Sequence, residues 1–300
     1  MLYILTHDIL PVFSMLALGF VLGRAGKISR DEAAAVNRVA FLVLQPALIL
    51  PLIAGVDFAA FRLDALALYA LCQVGTFGLA LLAARRVFRR EPVEAWLLAM
   101  ATVFVNSLLY IYPISFLIYG EAAALPITAI VAWDASATFA FFIVTTDLMA
   151  NRTANAAQSL KRVGSNPVLI AIALGLIVNA AGIAVPEPLL TAMDFAGAGA
   201  APLTLFALGV ILSGQRIVPD GTVVGISAIK LLVFPALIWA ALQLAPLPAD
   251  WRQLFVLNAA GPSGAMAFAL AMLHGVRTDA IAPVVIWTSV LSLISLAALA

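Results

Sequence analysis

The chain has 300 residues, of which 64% are hydrophobic and only 10% are charged, and its formal net charge is +1. This composition lies far from that of soluble globular domains and is typical of a membrane protein with many spans. The single cysteine, Cys72, excludes an intrachain disulfide, and two histidines are too few for a multi-histidine metal site. The one basic cluster, at residues 85–90, is too small for a nucleic-acid surface. We therefore expect no cofactor and no nucleic-acid partner.

Ten apolar runs follow one another along the chain, separated by charged residues or by proline and glycine. Each is long enough for the roughly 20 residues with which a helix crosses a bilayer. The predicted spans, numbered one to ten, are residues 6–24, 33–54, 63–84, 95–118, 123–148, 167–185, 188–212, 222–245, 252–273 and 278–299. The sequence thus predicts an all-α membrane protein with ten transmembrane helices.

The basic residues predict how the chain is oriented. Loops after odd-numbered spans carry twelve Lys and Arg residues, whereas loops after even-numbered spans carry two. Because Lys and Arg favour cytoplasmic loops, we expect both termini on the outer, periplasmic side. The arginine cluster at residues 85–90 is then a topology signal. This bias fits a multi-pass protein of a bacterial inner (plasma) membrane.

The two halves of the chain resemble each other. At an offset of 156 residues, residues 11–26 align with residues 167–182 with seven identities and no gap, and Pro46 falls on Pro202. Since each copy holds five spans, an odd number, the second copy enters the membrane from the opposite side. The sequence therefore predicts a first five-helix repeat, a short cytoplasmic linker and a second, inverted five-helix repeat, at residues 1–150, 151–166 and 167–300.

Spans four and nine are interrupted near their centres. Span four contains VFVNSLLYIYP, and span nine contains LNAAGPSGAM. Inverted-repeat transporters often bind substrate at such breaks, where backbone N–H and C=O groups become free. The alternative is a simple kink, because proline and glycine also bend membrane helices that form no site. The predicted substrate-binding residues are Asn106, Ser107, Tyr110, Asn258, Gly261, Pro262, Ser263 and Gly264, with Gln45 from span two.

Several stretches together resemble the auxin efflux carrier family. They are NRVAFLVLQPALIL in span two, the Asn-Ser pair of span four with Pro113 after it, NPVLIAIALGLIVN in span six, APLTLFALGVIL in span seven, IKLLVFP in span eight and the Pro-Ser-Gly break of span nine. That family includes plant auxin exporters and bacterial permeases associated with dicarboxylates such as malate and malonate. The resemblance covers the whole chain. It implies a scaffold part, a transport part, and broken helices four and nine that cross near the midplane.

The resemblance also implies roles for single residues. Asn106 occupies the position of the asparagine that receives the substrate carboxylate in plant members, and Ser107 matches a threonine there. Val105 and Pro262 stand at two crossover positions that are prolines in plant carriers, so the first copy departs from the pattern. Ile111 also stands where many relatives have glycine. These departures count against auxin itself as the substrate.

Two ionisable residues lie inside predicted spans. Asp134 is near the centre of span five, where an Asp costs about 2.5 to 3.5 kcal/mol on insertion scales, so we expect it to face the interior or a watery cavity. It is a candidate proton or cation site, or else a structural carboxylate. Lys230 in span eight is a candidate for a charge pair or an anion pathway, or else it extends its ammonium to the interface. Gln45 and Gln73 could line a cavity or bond between helices.

The leading hypothesis is a secondary or facilitative transporter of a small organic anion, a carboxylate or dicarboxylate, that works by an elevator-like or rocking form of alternating access. Coupling to a proton or to sodium is left open, as is a homodimer through the scaffold helices. The alternatives are a sodium-coupled symporter of related fold and a passive channel. The sequence lacks a nucleotide-binding loop for a pump and a nucleophile–base constellation for an enzyme.

Overall fold

The computed structural model describes residues 1–150 and 156–300, which form helices joined by short loops. Two short 3-10 turns lie at Phe58–Ala60 and Gly120–Ala123. The helices are α1 (Leu2–Arg24), α2 (Arg30–Ala54), α3 (Leu63–Val87), α4 (Pro92–Val103), α5 (residues 107–119), α6 (residues 124–150), α7 (Ala156–Gly164), α8 (Pro167–Ala180), α9 (Glu187–Gly197), α10 (Ala200–Ser213), α11 (Gly221–Leu242), α12 (Ala249–Ala260), α13 (Met266–Leu273) and α14 (Ile281–Leu299).

Seven helical segments in the described part are long and apolar enough to cross a bilayer. One of them, Ser107–Ala150, has 44 residues, about twice the length of a single crossing. It is divided at Gly120, whose φ of 59° is in the left-handed region that favours glycine. The all-α membrane class is therefore confirmed, while the count of ten transmembrane helices stays a prediction. Part of the predicted linker, residues 151–155, lies outside the described residues.

Several helices begin at residues that cap them. Ser29 and Glu32 form a capping box at the start of α2, in which each side chain bonds the backbone N–H of the other residue. The side chain of Asn166 accepts bonds from the first turn of α8, and Pro167 occupies the first helical position, where its missing N–H has no cost. Asp220 caps α11 in the same way. Polar loop residues thus define where the apolar helices start.

Two helix pairs pack with their backbones in contact. In the first pair, Gly19 of α1 lies against the carbonyl of Phe206, and Gly209 of α10 lies against the carbonyl of Leu16. A Cβ atom at either glycine would collide with the backbone of the opposing helix. In the second pair, Gly175 of α8 lies against α2, where an added Cβ would be 2.9 Å from Cβ of Ile53 and 3.0 Å from the carbonyl oxygen of Leu50. Small residues permit this close approach between membrane helices.

Both pairs are closed at one end by a side chain that bonds a helix terminus. The guanidinium of Arg24, at the end of α1, donates to the carbonyl oxygen of Ser213 at 2.9 Å. The amide of Asn179, near the end of α8, donates to the carbonyl oxygens of Ala54 and Val56 at 2.8 and 2.7 Å. These bonds satisfy carbonyl groups that the ends of α10 and α2 leave free.

Non-helical residues separate α4 from α5 and α12 from α13. These two short segments run antiparallel and pair through their backbones. The N–H of Asn106 donates to the carbonyl oxygen of Pro262 at 3.1 Å, and the N–H of Gly264 donates to that of Phe104 at 2.7 Å. The pairing satisfies groups that the interrupted helices release inside the protein. The flanking helices α4 and α12 are buried on most sides, so these segments lie in the core.

Candidate functional site

A cavity of about 180 Å³ lies where the helices are interrupted. Its wall includes the first residues of α5 and of α13, together with side chains from α2, α6, α8 and α10. Five of the predicted site residues line it: Asn106, Ser107, Gly264, Gln45 and Asp134. The structure therefore brings residues from both halves of the chain to one cavity.

Two helix N-termini face this cavity. Helix α5 begins at Ser107 and α13 begins at Met266, and both residues line the wall. The first N–H groups of a helix have no partner within it, and the aligned peptide dipoles place partial positive charge at that end. Neither terminus has a side-chain cap. Among the described residues that line the cavity, none is Lys, Arg or His, so the positive potential comes from the backbone.

The side chain of Asn106 is partly exposed, and no hydrogen bond to it is found within the described part of the chain. A primary amide carries two donors and one acceptor oxygen. By contrast, the amide of Gln45 donates to the hydroxyl of Thr204 at 3.3 Å, which ties α2 to α10 across the wall. The amide of Asn106 is thus free to bind a ligand, as is that of Asn37, which also lines the cavity.

Asp134 is 2% exposed, and its carboxylate accepts three hydrogen bonds. Oδ1 accepts from the amide of Gln73 at 2.8 Å. Oδ2 accepts from the hydroxyls of Tyr69 and Ser107, each at 3.2 Å. An ionised carboxylate is an acceptor only, so this set of three donors matches the charged form. Ser107 connects the buried acid directly to the cavity.

More distant bonds hold these donors in place. The indole N–H of Trp133 donates to Oε1 of Gln73 at 2.8 Å, which orients the Gln73 amide toward Asp134. The amide of Asn258 donates to the hydroxyl of Tyr69 at 3.0 Å. Sequence reasoning missed Tyr69 and Trp133. Tyr69 and Gln73 are four residues apart on α3 and therefore share a helix face, a spacing that could have placed them together.

Lys230 is fully buried, so of the two alternatives for it, the extension of its ammonium to the membrane interface is wrong. Its Nζ donates to the carbonyl oxygen of Ala259 at 2.6 Å and lies 5.1 Å from the centroid of the Phe234 ring. Ala259 is in the last turn of α12, where the helix dipole places partial negative charge. The lysine therefore stabilises the end of an interrupted helix.

The other predicted substrate residues lie behind the cavity wall. Tyr110 and Asn258 are fully buried, and Gly261 packs against Ile111. Ser263 donates its hydroxyl to the carbonyl oxygen of Ala101 at 2.6 Å. The structure does not bring these four to the cavity, nor Pro262, whose carbonyl holds the interrupted segments together. These residues pack or bond around the cavity and do not line it.

Long apolar helices around an internal cavity, whose mostly apolar wall carries a few polar groups, define the class of multi-pass membrane proteins. A family model described as a membrane transport protein matches residues 4–159 and 152–300. The chain belongs to this family, that of the auxin efflux carriers, and the resemblance drawn from its sequence is confirmed. It is a membrane transporter.

Two relatives match almost end to end. The chain is 26% identical over 298 residues to a protein of Methanothermobacter thermautotrophicus named "Uncharacterized transporter", with 97% of this chain and 96% of the relative covered. It is 26% identical over 303 residues to a protein of Rhizobium meliloti named "Putative malonate transporter", with 96% of this chain and 92% of the relative covered. Both names agree with membership of a transporter family.

Proposed function

We propose that the protein is a secondary or facilitative transporter of a small organic anion, a carboxylate or dicarboxylate, and that it works by alternating access across the inner membrane. One observation carries the proposal: two helix N-termini and the free amide of Asn106 converge on one cavity. The cavity volume of about 180 Å³ leaves room for a small organic acid rather than for a single water molecule.

The chemistry of the wall favours an anion that can also leave. A helix N-terminus stabilises a negative group by about 0.3 to 1 kcal/mol, and by up to about 2 kcal/mol in partly buried geometries. The Asn106 amide adds donors without a permanent charge. Because no basic side chain lines the described cavity, binding is moderate and release is not slowed by a buried ion pair. The name of the Rhizobium meliloti relative supports a dicarboxylate such as malonate.

The proposed architecture is two inverted five-helix repeats, residues 1–150 and 167–300, joined by the linker at residues 151–166. The glycine contacts support it, because they pair α1, the first helix of one repeat, with α10 of the other repeat, and α8 with α2. These helices, with α9, form the proposed scaffold, and the interrupted helices belong to the part that moves against it. With both termini periplasmic, the cavity opens toward the cytoplasm, since Asn37 and Val168 at its wall lie within about two turns of helix ends that are then cytoplasmic.

Transport into liposomes tests the proposal. Purified protein is reconstituted, and uptake of labelled malonate and a panel of monocarboxylates and dicarboxylates is measured with and without sodium. A carrier shows saturation and is stimulated by unlabelled acid on the opposite side, whereas a channel shows neither. Sodium-dependent uptake would favour the sodium-coupled alternative. Failure of every acid in the panel would overturn the proposed substrate class.

Two substitutions at Asn106 make the test specific. Asn106→Ala removes a hydrogen bond to a charged ligand, a loss of about 1.5 to 3 kcal/mol that weakens binding by about 10- to 150-fold. Asn106→Asp keeps the shape but places a negative charge beside the ligand, so we expect still weaker binding. Melting temperatures of both variants control for the fold. If Asn106→Asp bound the acid as well as Asn106→Ala, the ligand at this position would not be an anion.

A further inference from the structure

We propose that Ser107 links proton binding to anion binding. When Asp134 takes up a proton at Oδ2, the Ser107 hydroxyl turns from Asp134 toward the cavity and donates its hydrogen to the bound anion. The inference rests on the proposed transport of an organic anion. It adds that the coupled ion is a proton, and it names Ser107 as the side chain that couples the binding of the proton to the binding of the anion.

The first step concerns which carboxylate oxygen takes the proton. Trp133 donates to Oε1 of Gln73, so the amide nitrogen of Gln73 faces Asp134 and donates to Oδ1. An amide N–H cannot accept a hydrogen bond. A proton on Oδ1 would meet a donor, and this hydrogen bond would be lost. The proton therefore binds Oδ2.

The second step concerns the two hydroxyls at Oδ2. Those of Tyr69 and Ser107 both donate to this oxygen when the carboxylate is ionised. A hydroxyl has a single hydrogen and two acceptor lone pairs. Once Oδ2 carries a proton, it donates to one of these hydroxyls, and that hydroxyl must send its own hydrogen to another acceptor.

The third step identifies the hydroxyl that turns. Tyr69 is fully buried, and its oxygen already accepts the amide of Asn258. The unpaired Oδ1 of Asn258 is an acceptor near it, but the Tyr69 hydrogen could reach it only if the amide that holds Tyr69 turned over. Ser107 lines the cavity, where a ligand oxygen accepts its hydrogen at no structural cost. Ser107 is therefore the hydroxyl that changes partner.

The surroundings of Asp134 determine the sign of the effect. The helices packed around Asp134 present neutral side chains to it: Tyr69 and Gln73 of α3, Ser107 of α5 and, behind Tyr69, Asn258 of α12. One charged group acts on it, the ammonium of Lys230 on α11. With Asp134 ionised, its charge repels an anion in the adjoining cavity, and Ser107 offers the anion only lone pairs. Protonation removes the repulsion and supplies a donor. Anion and proton then bind cooperatively, so anion affinity rises as the pH falls.

Malonate binding to the purified full-length protein tests the inference. Calorimetric titrations are repeated from mildly acidic to alkaline pH, and affinity is expressed for the fully ionised acid. One linked proton changes the affinity by up to about tenfold for each pH unit. We expect this slope in the wild type and a clearly smaller slope in Ser107→Ala, which retains only the repulsion between Asp134 and the anion. Ser107→Thr retains the hydroxyl and should retain the slope.

Two further variants separate Ser107 from its neighbours. Tyr69→Phe removes the other hydroxyl from the same oxygen and should keep the slope, which makes it the matched control. In Asp134→Asn, the Gln73 amide needs an acceptor, so the oxygen of the new Asn side chain faces Gln73 and its nitrogen takes the place of the protonated Oδ2. This nitrogen donates to Ser107, whose hydroxyl therefore stays turned toward the cavity. This variant should bind malonate at alkaline pH as tightly as the wild type does at acid pH, with no slope.

The outcomes distinguish this inference from the proposed function. Equal slopes in the wild type and Ser107→Ala would overturn the coupling role of Ser107 and leave anion binding intact. Loss of the slope in Tyr69→Phe alone would also overturn it, because the change of partner would then pass through Tyr69. Absence of binding by malonate and by every other acid of the panel would overturn both. Melting temperatures confirm that each variant is folded.

Discussion

A single methyl group at Gly209 tests the close packing of α1 against α10. In Gly209→Ala, the new Cβ collides with the carbonyl oxygen of Leu16 and lies 2.8 Å from the backbone nitrogen of Phe20. Both neighbours belong to the backbone, so no side chain can move aside and the helices must separate. Overpacking of this kind costs about 1 to 3 kcal/mol.

The chain offers a matched control in Gly78, a helical glycine of α3 whose added Cβ would meet nothing within 4 Å. Alanine is favoured over glycine in a helix by about 1 kcal/mol at either site. The difference in stability between Gly209→Ala and Gly78→Ala therefore isolates the collision and should be about 1 to 3 kcal/mol. Thermal unfolding in one detergent measures it. Equal melting temperatures would refute the backbone contact and, with it, the pairing of α1 with α10.

Two further substitutions test helix ends. Asn179→Ala leaves the carbonyl of Ala54 without its donor, so we expect the free energy of unfolding to fall by about 1 to 3 kcal/mol, and an unchanged melting temperature would contradict this. Burial raises the pKa of Asp220, but the N–H of Val223 and the Arg90 guanidinium lower it more, so its pKa is below the ordinary value. Because this pKa is lowered, ionised Asp220 stabilises the fold above the ordinary Asp pKa of about 3.9, and this stabilisation is lost as the pH falls. In Asp220→Asn, the free energy of unfolding should therefore fall less steeply at acid pH than in the wild type.

Composition and periodicity were enough to predict helices that cross a membrane, because the bilayer sets the length and polarity of each one. They were also enough to locate both interruptions, since proline, glycine and small polar residues are costly inside an apolar helix unless something compensates for them. The sequence could not reveal how the interruptions pair. The bond from the N–H of Asn106 to Pro262 and the buried position of Lys230 depend on contacts between residues far apart in the chain.

The candidate site shows the same limit. Asn106, Ser107 and Asp134 stood out because each is polar inside an apolar span. Tyr69 and Trp133 did not, because an aromatic ring in a membrane helix most often packs in the core or at the interface, and only its partner shows that its polar atom matters. Tertiary structure alone reveals that their O–H and N–H groups organise the carboxylate of Asp134.

The interruption between α12 and α13 leaves two helix ends of opposite polarity. Side chains bond the groups of one end, and the other end has no side-chain cap. At the C-terminal end of α12, the ammonium of Lys230 and the hydroxyl of Ser295 bond the carbonyls of Ala259 and Ala260. A sodium ion at those carbonyls would have to displace a tethered cation. At the N-terminal end of α13, no side chain caps the helix, and its first turn lines the cavity. Because the N-terminal end of α13 is the one that lines the cavity, the arrangement supports the proposed anion there and the proposed proton at Asp134, in place of a metal ion at α12.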